Sequence, residues 1–246
     1  MTWLRAALAA AAMLLVSLSA AAKVYLVSVG ITDYPGTDSD LALPAKDART
    51  ITWVYSKNSG LQYCMLLDSN ATVAHIKSAM NRVFSAAGAD DIVVFFYSGH
   101  GYPGGFCAYD GDLSYTDIRK AMARSRCKNK MIFADACYAG KMRTDVSSMN
   151  SQSEQSAARK ANVMLFLSSR SNECSIESPG MANGFFTTYL QKGLRGGADK
   201  NKDRIITARE LFDYVHRNVV ELSGGAQHPV MWGKFSDNMP VMKWKK

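Results

Sequence analysis

The sequence predicts an α/β protein built on a parallel sheet, and three observations carry that expectation. Short apolar runs of strand length alternate with segments of helical periodicity, the pattern of strands joined by crossover helices. The run 91–97 (DIVVFFY) is apolar on both faces, as an interior strand covered by helices on each side must be. A chain of 246 residues with 48% hydrophobic content can bury a full core, which we read as a single domain.

Taken in order, runs rich in β-branched and aromatic residues predict strands over 23–30, 62–67, 91–97, 130–134 and 162–168. Between and after them, helical patterns cover 44–57, 72–86, 114–125, 183–194 and 207–220, several with their own start signals. The last begins at Thr207 with Glu210 three residues on, a capping-box spacing. The segment 141–160 (KMRTDVSSMNSQSEQSAARK) has no apolar periodicity and reads as a long exposed loop, a length that is usually functional or disordered.

Residues 1–22 carry Arg5, an Ala/Leu-rich run and a small-residue stretch ending at Ala22, which predicts a cleaved secretory signal and a secreted or periplasmic domain over 23–246. The apolar run is short for a bilayer span, so no stable membrane insertion is expected after cleavage. The formal charge of +8 is scattered apart from 243–246 and a looser cluster over 119–130. With no recognisable nucleic-acid module, nucleic-acid binding is not expected. Cys64, Cys107, Cys127, Cys137 and Cys174 make an odd set: up to two disulfides, or buried small apolar side chains.

Two motifs carry chemistry. The strand DIVVFFY runs into Ser98-Gly99-His100-Gly101, and KMIFA runs into Asp135-Ala136-Cys137-Tyr138-Ala139-Gly140. Both sit at carboxyl ends of strands, the edge where open α/β sheets bind ligands, so neighbouring parallel strands would bring His100 and Cys137 together. Alone, a Cys at a strand end reads as a small core residue and a His as a structural one. Paired, imidazole and thiol make an activated nucleophile and a general acid for the leaving amine. The backbone N–H groups of Gly101 and Cys137 are candidates for the oxyanion site. A metal reading of this pair fails on spacing, since neither residue has a second ligand nearby in sequence.

These motifs, with VYLVSVGITDYPG, LPAKDART, LSSRSNECSIE and NGFFTTYLQKGLRG, resemble the caspase-like cysteine peptidases, in particular the metacaspase and bacterial caspase-homologue branch. The resemblance covers nearly the whole chain after residue 22. It implies a caspase-hemoglobinase fold, a mostly parallel six-stranded sheet sandwiched between helices, with His100 and Cys137 as catalytic dyad and Gly101 as oxyanion donor. It also implies Asp135 and Asp47 as carboxylates of the P1 pocket, and two carboxylates favour Arg or Lys there. Each has a plainer reading, Asp135 as a strand-end hydrogen-bonding residue and Asp47 as a helix residue. The expected partner is a peptide or protein substrate. The competing expectations are a legumain-like enzyme preferring Asn at P1 and a caspase-fold binding module without activity.

No cofactor is expected to be required. Calcium has two places to consider. The segment 102–112 is short beside the family's, leaving Asp110 and Asp112, and two carboxylates make a poor cage. Asp199, Asn201, Asp203, Thr207 and Glu210 fall at EF-hand loop positions, but Arg204 stands where the turn wants Gly, and Lys200 and Lys202 oppose a cation. Basic residues in 141–160 also raise the expectation of self-cleavage there, as in the linker that follows the caspase nucleophile.

Overall fold

The computed structural model describes residues 22–36, 38–57, 60–102, 104–137, 163–170, 175–176 and 180–244. Residues 1–21 of the expected leader, the expected loop at 141–160, and Cys174 lie outside the described residues. Six strands form the central sheet: β1 (Val24–Gly30), β2 (Leu61–Leu67), β3 (Ile92–Ser98), β7 (Asn129–Asp135), β8 (Val163–Leu167) and β10 (Val230–Gly233). Their order is β10-β8-β7-β3-β1-β2, all parallel except β10, which closes one edge antiparallel to β8.

Alternation along β3 assigns the two cores. Val93, Phe95 and Tyr97 point to one side, where they pack with Ile76, Met80 and Phe84 of helix α2 (Val73–Ser85) and Ile118 and Met122 of α3 (Tyr115–Arg124). Ile92, Val94 and Phe96 point to the other. There they meet α1 (Pro44–Ser56), α4 (Phe185–Lys192) and α5 (Ala208–Leu222). All seven residues of β3 are buried, as the doubly apolar run predicts. The result is a three-layer α/β/α domain, with the mostly parallel six-stranded sheet that the resemblance implies.

The five strands expected from apolar runs are all present. The sixth, β10, gives no such signal because VMWG is short and half-exposed at an edge, with Trp232 39% accessible. Two small sheets were equally silent. One joins β4 (Gly101–Tyr102), β5 (Gly105–Ala108) and β6 (Gly111–Ser114) beside the His100 motif, and the other joins β9 (Ile205–Thr207) to β11 (Pro240–Lys243). Among the described residues Cys64, Cys107, Cys127 and Cys137 are all free thiols, which removes any disulfide among those four.

Candidate active site

Strand register brings the two motifs together. Parallel pairing of β3 with β7 sets Ser98 opposite Asp135, so two residues further on His100 and Cys137 leave the sheet at the same level. Both line one cleft of about 100 Å³, together with Asp47, Ser98, Asp135, Ser175 and Gly184. Gly101 abuts the Cys137 backbone so closely that a Cβ there would come within 2.3 Å of the Cys137 carbonyl oxygen. Gly99 has φ +151° and faces two hydroxyls, which any side chain would strike at 2.6 Å.

Those hydroxyls belong to Tyr34 and Tyr97 and hold the backbone of His100. The His100 N–H donates to Tyr34 Oη at 2.9 Å, and Tyr97 Oη lies 2.8 Å from the His100 carbonyl oxygen. Burial pushes the Tyr34 phenol up to about 12, so it stays a protonated donor at neutral pH. Its ring lies 4.8 Å from the imidazole, centroid to centroid. The imidazole Nε2 sits 2.7 Å from the Ser39 carbonyl oxygen. A carbonyl only accepts, so Nε2 carries the proton and Nδ1 is the basic nitrogen of the neutral ring.

The cleft floor is acidic. Asp47 is 1% and Asp135 5% exposed. Asp47 reaches the cleft because Gly30 lets α1 pack hard on β1; a Cβ at Gly30 would lie 2.2 Å from the Pro44 carbonyl oxygen. Asp47 Oδ1 accepts from Asn183 Nδ2 at 2.7 Å and Gly184 N at 3.2 Å, and its Oδ2 from Ser98 Oγ at 2.9 Å. Asp135 Oδ2 accepts from the N–H of Thr187 at 3.1 Å and its hydroxyl at 2.8 Å. Gly184 lies between the acids, a Cβ there coming 2.8 Å from Asp135 Oδ2 and 3.5 Å from Asp47 Oδ2. Burial, then the neighbouring Asp135, raise the Asp47 carboxyl well above the usual range; the hydrogen bonds it accepts pull the other way. The pair therefore binds a proton more readily than isolated carboxylates do, and a cation in the cleft would compete with that proton.

Sequence reasoning named His100, Cys137, Gly101, Asp47 and Asp135, and the structure gathers all five here. It missed Tyr34, Tyr97 and the Ser39 carbonyl around the imidazole, and Asn183, Gly184 and Thr187 under the acids. NGFFTTYL held the only signal for the last three, and it reads equally as an ordinary helix start.

The other acidic positions lie elsewhere. Asp110 Oδ1 accepts from Val73 N at 2.7 Å at the start of α2, and Asp112 is exposed on β6. In the loop before α5, Asp199 Oδ2 accepts from Arg204 N at 3.0 Å, Asn201 Oδ1 from Asp203 N at 3.0 Å and Asp203 Oδ1 from Ile205 N at 2.8 Å. Arg204 takes the positive φ (69°) that a Gly would adopt more freely. Glu210 completes the capping box with Thr207 and also accepts from Lys200 N. Asp199 Oδ1 is buried without a hydrogen-bond partner. Among the described residues no group of three or more His, Cys, Asp or Glu side chains is placed to hold a metal ion.

A Cys and a His at adjacent strand ends of a parallel sheet, above a buried pair of acids, define a cysteine-peptidase type of domain. The chain belongs to the caspase domain family, whose sequence profile it matches over residues 24–239. Its fold is accordingly the caspase-hemoglobinase fold, and family membership makes it a caspase-like peptidase domain whose substrates are peptides or proteins. The structure resembles protein GSU0716 from Geobacter sulfurreducens, with a TM-score of 0.64 at 18% identity, covering 89% of this chain and 97% of that one. At that identity the likeness concerns the fold alone. No curated protein matches the chain.

Proposed function

We propose that the chain is an exported cysteine endopeptidase that cleaves after Arg or Lys through a Cys137–His100 dyad. The observation that carries the specificity is the placement of Asp47 and Asp135, two buried carboxylates, in the cleft lined by His100 and Cys137. A guanidinium or ammonium entering there is paired and hydrogen-bonded, whereas a P1 Asp would bring a further negative charge to the acidic pair.

In the reaction, Nδ1 of His100 takes the thiol proton and Sγ of Cys137 attacks the scissile carbonyl carbon. The oxyanion is met by backbone N–H groups of Gly101 and Cys137. The intermediate collapses to an acyl-enzyme as His100 protonates the leaving amine, and water, deprotonated by the same imidazole, hydrolyses the thioester. The bond from Nε2 to the Ser39 carbonyl fixes the ring for both transfers and stabilises the imidazolium between them.

The test is hydrolysis of peptides differing only at P1 (Arg, Lys, Asn, Asp) by protein lacking residues 1–22, beside Cys137→Ala, in EDTA and in millimolar calcium. Cleavage after Arg and Lys that vanishes in Cys137→Ala and persists in EDTA is the expected result. Preferred cleavage after Asn or Asp would overturn the pocket assignment, and a calcium requirement would overturn the expectation that none is needed. Intact-mass comparison of wild type with Cys137→Ala checks self-cleavage within 141–160, which predicts fragments in the wild type only.

A further inference from the structure

Gln227 lies in the turn between α5 and β10, far in sequence from every motif above, and yet is fully buried. Its amide is used at both ends. Nε2 donates to the Ser168 carbonyl at 2.9 Å, and Oε1 accepts the Ile176 N–H at 3.0 Å. Ser168 directly follows β8, and Ile176 directly follows Ser175, which lines the cleft. The backbone of Gln227 is anchored by Ser223, whose Oγ accepts the Gln227 N–H at 3.0 Å.

Each end leads to the cleft by a short chain of contacts. On one side Ser168 Oγ lies 3.2 Å from both the N and the O of Ala136, the residue before Cys137, and is hydrogen-bonded to Ser175 Oγ on the cleft wall. On the other side the Ile176 carbonyl accepts Phe185 N–H at 3.1 Å, at the first turn of α4. Two residues further, Thr187 holds Asp135. We infer that Gln227 is a positioning residue, whose amide keeps the Cys137 end of the cleft and its acidic floor at one fixed spacing. The inference rests on the peptidase reading above. A primary amide suits the task because one planar group offers a donor and an acceptor, as a peptide unit would. Without it a buried carbonyl and a buried N–H lose their partners and the two sides can drift, and misplacement of about 1 Å can cost a hundredfold in rate.

The experiment uses the full domain with Gln227→Ala and Gln227→Glu. It reads kcat and KM on the P1 peptides, site-resolved alkylation of Cys137 by iodoacetamide, and Tm. Gln227→Ala is expected to lower kcat by about tenfold to a hundredfold with a smaller change in KM, while iodoacetamide, which needs no pocket, reacts within about twofold of the wild-type rate. Gln227→Glu distinguishes positioning from simple support. A protonated carboxyl can donate to Ser168 and accept from Ile176, whereas a carboxylate faces the Ser168 carbonyl with no proton to give. Its kcat relative to wild type is therefore expected to rise as pH falls from about 8 to 5.5. Wild-type kcat in Gln227→Ala overturns the inference. So does a loss of peptidase and alkylation rates in parallel with Tm, with no pH-dependent recovery in Gln227→Glu. A wild type that cleaves after Asn instead sinks only the pocket assignment, and the Gln227 effect is then read on that peptide. A wild type inert to the whole panel sinks both.

Discussion

Two groups of acidic residues in this chain are partnered in opposite ways. In the loop before α5, Asp199, Asp203 and Glu210 bond backbone or side chains two to ten residues away. In the cleft, Asp47 bonds Ser98, Asn183 and Gly184, at separations of 51, 136 and 137 residues, and Asp135 bonds Thr187 at 52. The loop acids shape a turn and start a helix, and they sit where water can reach most of them. The cleft acids are held against each other inside the protein, where mutual repulsion and lost hydration store an affinity for a positive charge. What separates a turn-forming carboxylate from a cleft one here is who supplies its hydrogen bonds, and from how far along the chain.

Removing a cleft acid should therefore change function most. Asp135→Asn is expected to lower kcat/KM for P1-Arg peptides by about a hundredfold to a thousandfold, since Asp135 lines the cleft beside Cys137 and, in the proposed pocket, would contact the P1 cation directly. Asp47→Asn, deeper and already bonded by three donors, is expected to cost about tenfold to a hundredfold on the same substrates. Its Tm should tell a different story. A carboxyl whose folded pKa is raised stabilises the fold below its unfolded value and loses that contribution as pH rises through the folded one. Asp47→Asn should thus gain Tm relative to wild type at neutral and alkaline pH, and not in acid. Thermal melts across pH check this, and a neutral-pH loss of Tm would mean that the hydrogen bonds outweigh the burial of charge.

The acid limb of activity sharpens the comparison further. In the proposed pocket a P1 cation needs the ionised pair, so kcat/KM for Arg peptides should fall on acidification above the ordinary carboxylate range, and the limb should move to lower pH in Asp47→Asn, where Asp135 no longer faces a like charge. Unmoved limbs in the two pH profiles would break the coupling argued here. The smallest functional effect belongs to the loop. Thr207→Ala removes one half of the capping box and should cost about 1 kcal/mol of stability, read by urea unfolding, while kcat/KM stays within about twofold. A change in P1 preference in that variant would show that the two acidic regions are not independent.

The sequence already contains the features whose physics is local. DIVVFFY is apolar on both faces and becomes the fully buried β3; Thr207 and Glu210 close their capping box; His100 and Cys137 stand just beyond strand ends because the apolar runs stop just before them. Periodicity and capping are decided within a few residues, so they can be read without knowing the rest of the chain. The six-strand count came from the family resemblance, since β10 has too few apolar residues to announce itself and forms because β8 offers it an edge. Tertiary structure alone decided that Gly30 would admit α1 and carry Asp47 beside Asp135, that Tyr34 and Ser39 would hold His100, and that Gln227 would bridge Ser168 and Ile176. Each of these joins groups from distant parts of the chain whose approach is dictated by sheet order and close packing, and a buried polar group takes as partner whatever that packing brings within reach.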